Sequence, residues 1–139
     1  MRLPVVDDLS WVAMTVLMES EGESYEGKLA VAYVIVNRGQ RRHLSLPDVV
    51  LDRLQFSCWN ADSPSRMRLD NLGSSDSAWQ DSYKATCSAI FGFEPDPTKG
   101  AESYLNEELT RKIRGGSLPT WFDESKITAK IGEHTFLRL

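Results

Sequence analysis

The spacing of apolar residues predicts two helices near the start of the chain. A run from Ser24 to about Arg38 is apolar on nearly every face, which is typical of a helix buried in the middle of a fold. Gly22 precedes this run and suits the end of an earlier helix, because glycine readily adopts a positive φ. That earlier helix is predicted over residues 8–19, where apolar side chains recur at helical spacing: Leu9, Val12, Ala13, Val16 and Leu17.

The rest of the chain divides into shorter elements and polar loops. A short helix is predicted after Pro47, and the polar turn formers of residues 60–77 indicate a long surface loop. Residues 77–91 carry a stripe of large apolar side chains and predict a third clear helix. Weak alternation within residues 126–139 predicts one or two short strands or a hairpin. The predicted fold class is mainly α with a small β element (α+β), in a single domain spanning residues 1–139.

Charge and hydropathy limit the partners that this chain can have. The net charge of −4 over 139 residues argues against a nucleic-acid binder, which needs clustered Lys and Arg. The basic residues of 37–43 are better explained as a helix C-terminus, where cations suit the helix dipole. No apolar run approaches the roughly 18 residues of a membrane span, so we expect no stable membrane insertion. The first residues lack the pattern of a secretory signal, which predicts synthesis in the cytoplasm. We also expect a monomer.

Cysteine and histidine are too few and too scattered for a recognisable metal site. Cys58 and Cys87 are the only cysteines, His43 and His134 are the only histidines, and no zinc-ligand spacing relates them. The glycine motifs that bind phosphates and dinucleotides are also absent from the sequence. We therefore expect no metal and no cofactor. Whether the two cysteines are reduced or form a disulfide stays open.

A cluster of glutamates lies between the first two predicted helices, in the stretch "MESEGESYEG" (18–27). Glu19 falls in the last turn of an apolar helix, where burial, the negative end of the helix dipole and neighbouring carboxylates would each raise its pKa. A carboxylic acid that stays protonated near neutral pH can act as a general acid. Glu23 and Glu26 flank the start of the next helix, where carboxylates are common, and Glu21 is expected to be solvated. Glu19 is therefore the candidate catalytic residue.

Several motifs in collinear order resemble those of one enzyme family. The stretch "ESEGESYEGKLAVAYVIVNR" (19–38) is similar to the E-A-R-G-E-P-Y-E-G-Q signature and following helix of the SleB-like cell wall hydrolases. These include spore-cortex-lytic enzymes and related phage lysins. Each remaining match is weak alone but follows in the family's order: "QFSCW" (55–59), "DPTKGAESYLN" (96–106), "PTWF" (119–122) and "IGEHTFLR" (131–138).

The resemblance implies a fold, an activity and a set of site residues. The family has a compact lysozyme-like domain and cleaves the glycan strands of peptidoglycan. It acts as a lytic transglycosylase on the bond between N-acetylmuramic acid and N-acetylglucosamine. Its catalytic glutamate corresponds to Glu19. The matched positions that we expect to bind substrate are Glu23, Gln55, Ser57, Tyr104, Asn106 and His134.

Two departures from the family pattern and the extent of the chain add to this interpretation. Glu21 stands where the family usually has Arg, and Ser24 where it has Pro. Neither changes Glu19, although Glu21 adds negative charge beside it. We expect no separate wall-binding domain. A catalytic domain without an export signal is similar to a phage endolysin or a virion-associated lysin. Such a protein would need a pore-forming helper or a delivery partner to reach the peptidoglycan of the periplasm.

Other functions stay open at this stage. A water-using muramidase would pair Glu19 with Glu23, since ordinary glycosidases place two carboxylates about 5–5.5 or 6.5–9.5 Å apart. A non-catalytic glycan-binding module, a zinc amidase or endopeptidase, and a small acidic inhibitor or adaptor are the alternatives from other classes. Trp59 and Trp121 offer flat rings that either stack on sugars or pack in the core.

Overall fold

A computed structural model describes residues 6–52, 56, 59 and 76–139. Within them the chain forms helices and three short strands, and Glu124–Lys126 is a turn of 3-10 helix. The prediction of a mainly α fold with a small β element is confirmed. The elements in chain order are α1 Val6–Glu19, α2 Tyr25–Arg42, α3 Leu46–Val50, α4 Ser77–Phe91, β1 Ser103–Leu105, α5 Glu107–Ile113, β2 Ile127–Ile131 and β3 His134–Leu137.

Helix α2 forms the centre of the fold and is longer than predicted. It begins after Ser24, whose side chain accepts a hydrogen bond from the Gly27 N–H at 3.2 Å, as an N-cap residue does. It continues past Arg38 to Arg42, and Gly39 lies inside the helix at the point where α3 and the loop before it approach closely. A Cβ at Gly39 would lie 3.3 Å from Leu46 Cδ2. Two arginines in the last turn suit the helix dipole, as expected for this basic cluster.

The main core lies between α2 and the helices α1, α3 and α4. The predicted burial of α2 on nearly every face is confirmed over most of its length. Trp59 belongs to this core, since its ring packs 5.0 Å from that of Trp11 and its Nε1 donates to Thr15 Oγ1 at 2.8 Å. Trp121 is 42% exposed. Fully buried side chains of the core include Val12, Val16, Val31, Ile35, Val50 and Ala85.

Helices α3 and α4 lie where the sequence predicts them, and only α3 differs in the residue at which it begins. The short helix predicted after Pro47 is α3, which begins two residues earlier, at Leu46, because Ser45 caps it through the Asp48 N–H at 3.3 Å. Helix α4 has the predicted bounds, and the Asp76 carboxylate caps it through the Ala78 and Trp79 N–H groups. Most of the loop predicted over 60–77 lies outside the described residues, as does Cys58. None of the helices in the described ranges combines the length and the apolar character that a membrane crossing requires.

The three strands form an antiparallel sheet in the order β1–β3–β2. The hairpin predicted near the C-terminus is β2–β3, whereas neither β1 nor α5 was predicted. Phe136, in the central strand, packs with Ala30, Val34 and Ala101 in a second small core that joins the sheet to α2. The β2–β3 turn is thereby brought to the start of α2, next to the glutamate cluster.

Candidate active site

The loop between α1 and α2 is a compact turn that begins directly after Glu19. The Ser20 N–H donates to Val16 O at 3.0 Å, and the Glu23 N–H donates to Ser20 O at 3.0 Å. Gly22 has a φ of +87°, which favours glycine at this position. The turn therefore holds Glu19, at the end of one helix, and Glu23, just before the next, at opposite ends of one short segment.

Lys28, a residue of α2, holds this turn in place by hydrogen bonds to its backbone. Its side chain is buried, with only 4% of the residue exposed, and its Nζ donates to Ser20 O at 3.0 Å and to Glu23 O at 2.9 Å. A buried ammonium group is costly unless acceptors surround it, so these carbonyls account for its place in an apolar helix. Lys28 was not predicted from the sequence. A cation directly before the apolar run of residues 29–36 was the signal that could have drawn attention to it.

Replacement of Lys28 by methionine is expected to lower the free energy of unfolding by about 2 kcal/mol, since two charge-assisted hydrogen bonds to carbonyls are lost. Methionine nearly matches the volume of the lysine stem, so packing changes little. Chemical denaturation of both proteins measures the effect. Lys126→Met, at an exposed position, is the matched control and should change the stability by less than about 0.5 kcal/mol. Equal stability of the Lys28 and Lys126 variants would contradict this role.

Glu19 lies at the C-terminal end of α1 and is half-buried. Its neighbours in sequence, Met18 and Ser20, are buried, and the negative end of the α1 dipole is directed toward it. This is the location that the sequence analysis gave it, in the last turn of an apolar helix. The raised pKa that we expect for this carboxyl group stays a prediction.

Glu23 is directed at the tip of the β2–β3 hairpin. Its Oε1 accepts from the Glu133 N–H at 3.4 Å and lies 3.8 Å from His134 Nδ1. Its Oε2 lies so close to Gly132 that a Cβ at that residue would be only 2.2 Å away. The side chain of Glu23 is 14% exposed. Residues 110 positions apart in the chain are thus in direct contact, and the hairpin tip is docked on the loop between α1 and α2.

His134 is enclosed beside Glu23. Its side chain is 13% exposed, and its ring centroid lies 4.8 Å from that of Tyr104. Burial lowers the pKa of His134 below its ordinary value, against the opposing effect of the Glu23 and Glu133 carboxylates. Burial therefore favours the neutral imidazole, and its Nδ1 has no hydrogen-bond partner among the described residues.

The lowered pKa of His134 predicts a loss of stability in mild acid. Above about pH 6.5 the histidine is neutral in both the folded and the unfolded chain. As the pH falls below that value, the unfolded chain binds the proton first, so the free energy of unfolding decreases until the folded-state pKa is passed. Melting temperatures measured from about pH 7.5 to about pH 5, on both sides of the ordinary histidine pKa, follow this decrease in stability. His134→Gln should reduce it, whereas His43→Asn, at an exposed position, should leave it intact.

A groove adjoins the hairpin tip and is lined in part by Gly132 and Glu133, the residues that Glu23 contacts. Asn106 caps α5 by accepting from the Leu109 N–H at 2.9 Å, and its Nδ2 lies 3.5 Å from Glu133 Oε2. Thr135 Oγ1 donates to Glu107 Oε2 at 2.6 Å across the groove. Its volume is about 500 Å³, and its lining residues are Asn106, Glu107, Glu108, Leu109, Lys112, Gly132, Glu133 and Thr135.

The structure brings four of the predicted substrate-binding residues together. Glu23, Tyr104, Asn106 and His134 gather around the hairpin tip, with Glu19 at the other end of the turn that carries Glu23. Gln55 and Ser57 lie outside the described residues. Lys28, Gly132 and Glu133 complete the arrangement and were not predicted. Gly132 and Glu133 contact Glu23 from a segment that is distant in sequence, whereas Lys28 binds backbone carbonyls of the adjoining turn.

Comparison with known proteins identifies the family. Residues 22–137 match the family described as Cell Wall Hydrolase. The chain belongs to the cell wall hydrolase family. The prediction made from the sequence motifs is therefore confirmed. The matched range begins just after Glu19, within the turn that follows α1.

Two solved structures resemble this cell wall hydrolase over nearly its whole length. One is the catalytic domain of the germination-specific lytic transglycosylase SleB from Bacillus anthracis, with 25% identity, a TM-score of 0.70 and 99% of each chain covered. The other is the catalytic domain of the Bacillus cereus SleB protein, with 26% identity, a TM-score of 0.70, and 99% of this chain and 94% of that chain covered. No curated protein matches the chain.

Proposed function

We propose that this protein cleaves the glycan strands of peptidoglycan as a lytic transglycosylase, at the bond between N-acetylmuramic acid and N-acetylglucosamine. Membership of the cell wall hydrolase family and the likeness to a lytic transglycosylase of similar length support this activity. The observation that carries the proposal is the placement of Glu19. It is a half-buried carboxyl group at the end of an apolar helix, at the start of a turn fixed by Lys28.

Glu19 would act first as acid and then as base. Its carboxyl group donates a proton to the glycosidic oxygen, the bond to C1 of the muramyl sugar breaks, and positive charge develops at C1. The C6 hydroxyl of the same sugar then attacks C1 and returns its proton to Glu19, which closes a 1,6-anhydro ring. Well-oriented intramolecular attack reaches effective molarities of roughly 10⁵–10⁸ M, so no second carboxylate is needed to activate water.

The environment of Glu23 favours this mechanism over a two-carboxylate hydrolase. Both of its oxygens are directed at the hairpin tip, one toward the Glu133 N–H and His134 and the other against Gly132. A general base that activates water needs an oxygen open to that water. We therefore assign Glu23 to positioning the hairpin beside the catalytic turn. A water-using muramidase with a Glu19 and Glu23 pair is the second candidate.

The products of peptidoglycan digestion test the proposed activity against the other classes. We expect new muramyl ends on the glycan and intact stem peptides, with full activity in the presence of a chelator. Free stem peptides would instead indicate an amidase or endopeptidase, and loss of activity in chelator would indicate a metalloenzyme. An unchanged glycan with the protein bound to it would indicate a binding module. No binding and no cleavage would leave an inhibitor or adaptor.

We further propose that residues 1–139 act as a monomeric catalytic domain in a phage endolysin or virion-associated lysin. The peptidoglycan lies outside the membrane that encloses the site of synthesis, so a pore-forming helper or a delivery partner would be required. Production of the protein in a bacterial cytoplasm, with and without a pore-forming membrane protein, tests this role. Lysis only with the pore supports it, whereas lysis without the pore would contradict it.

A further inference from the structure

A second groove lies at the opposite end of α2 from the catalytic turn. About 18 Å of helix rise separates Tyr25, at the start of α2, from Asn37 at this groove. Its volume is about 620 Å³, larger than that of the groove beside the hairpin tip. The proposed catalytic mechanism does not use it. Its lining residues are Asn37, Gln40, Arg41, Gly100, Glu102 and Arg138.

One wall of this groove is a loop that is built around the carboxylate of Asp96. Asp96 Oδ1 accepts from the Thr98 N–H at 2.8 Å and from Thr98 Oγ1 at 2.6 Å, while Oδ2 accepts from the Gly100 N–H at 3.0 Å. Asn37 ties the loop to α2, since its Nδ2 donates to Asp96 Oδ2 at 2.9 Å and to Ala101 O at 2.8 Å. The groove is therefore pre-formed by a closed set of hydrogen bonds.

A second wall is held by buried Arg38 and by Glu102. Arg38 donates from Nε and Nη2 to Glu102 O at 3.0 and 2.7 Å, which fixes the backbone beneath the groove. The Glu102 carboxylate in turn pairs with Arg41, with 2.7 Å between Arg41 Nη1 and Glu102 Oε1. Because a guanidinium group carries five N–H donors, this single contact leaves Arg41 with donors for a further acceptor.

Arg138 supplies a positive charge that this pair does not neutralise. Its side chain lies over Gly100, with Nη1 3.8 Å from where a Cβ of that glycine would be, and its guanidinium makes no ion pair with any described residue. Two arginines and one glutamate give the lining a charge of +1, in a chain whose net charge is −4. The glutamates of the catalytic turn and the hairpin tip lie near the other end of α2.

We propose that this groove is an accessory site for an oxyanion, a carboxylate or a phosphate, that is carried on a cell wall polymer. Two guanidinium groups above a rigid wall match the paired oxygens of either group, and the Gln40 amide supplies a further donor. Binding there would hold an acidic enzyme to an anionic wall at a point away from the cleft. Assignment of the polymer to the wall rests on the proposed function, but anion binding at the groove does not.

Co-sedimentation with purified, insoluble cell walls tests the proposal. All proteins in this experiment carry Glu19→Gln, so that the cell walls are not digested while binding is measured. Added Arg138→Glu should raise the dissociation constant by about tenfold, and Arg138→Gln by a smaller factor, because charge-assisted hydrogen bonds are lost. Arg114→Glu makes the same charge change on an exposed residue outside the groove and is the matched control. The difference between the two positions should shrink in high salt.

Chemical treatment of the walls separates the two sources of the anion. Amidation of stem-peptide carboxylates should remove the Arg138-dependent part of binding if the ligand is a carboxylate, and removal of wall-linked phosphate polymers should do so if it is a phosphate. Equal binding of the Arg138→Glu and Arg114→Glu proteins would overturn the proposal, as would Arg138-dependent binding that survives both treatments. Failure of the catalytic proposal would appear separately, as uncleaved glycan with the parent protein.

Discussion

Replacement of Glu19 by glutamine is expected to reduce the rate of peptidoglycan cleavage by about 10³-fold, within the usual contribution of a general acid. Glutamine keeps the size of the side chain and its place at the end of α1, but it has no carboxyl proton to donate to the glycosidic oxygen. Release of soluble muropeptides from purified peptidoglycan measures the rate. The variant should still bind the polymer, because the substitution removes the carboxyl proton but leaves the shape of the binding surface unchanged.

Glu26→Gln is the matched control for this experiment. Glu26 belongs to the same glutamate cluster but is exposed in the first turn of α2, and its variant should cleave within about twofold of the parent. Thermal unfolding of both variants shows whether each remains folded. A folded Glu19→Gln protein that cleaves like the parent would remove Glu19 from the mechanism.

Substitution of Gly132 by alanine is expected to lower cleavage by about 10²-fold, the effect of displacing catalytic groups by about 1 Å. The new Cβ would lie 2.2 Å from Glu23 Oε2, so the Glu23 carboxylate must move away from the hairpin tip. The Glu23 carboxylate is the far end of a flexible side chain, and the fold can therefore survive the change. Peptidoglycan cleavage should fall much more than the melting temperature does.

Gly115→Ala is the control that distinguishes disruption of the Glu23–Gly132 contact from the effect of backbone strain. Gly115 has a φ of +69°, close to the +57° of Gly132, but no atom lies within 4 Å of the position of its Cβ. The Gly115→Ala variant should lose only about 1 kcal/mol of stability through backbone strain. It should cleave peptidoglycan at nearly the rate of the parent. The Gly132→Ala change should also add little to a Glu23→Ala variant, because both act on one contact. Additive losses in the double variant would contradict docking of the hairpin on Glu23.

The helices and the position of Glu19 could be predicted from sequence because they depend on local spacing. The apolar stripe of residues 8–19 and the apolar run that follows Ser24 each reveal their element without reference to the rest of the chain. Gly22 marks the turn between them. A carboxyl group in the last helical turn before this connection is recognisable from these signals alone. The structure places Glu19 there, at the end of α1.

The rest of the site depends on contacts between distant segments, which local patterns do not encode. β1 is three residues long and exists because it pairs with β3, so no alternation could reveal it. Glu23 was considered as a second catalytic carboxylate, but its contact with the hairpin tip depends on a β-turn near the end of the chain. Lys28 was missed for a different reason, since its acceptors are nearby backbone carbonyls that any residue could supply.

The mass of the new muramyl ends after digestion in heavy-oxygen water tests the single-carboxylate mechanism most directly. Attack by the sugar's own C6 hydroxyl predicts ends that are one water lighter than hydrolysed ends and that carry no heavy oxygen. Reducing muramyl ends that contain heavy oxygen from the solvent would contradict the account, because water, and with it a second base, would then have taken part in the reaction.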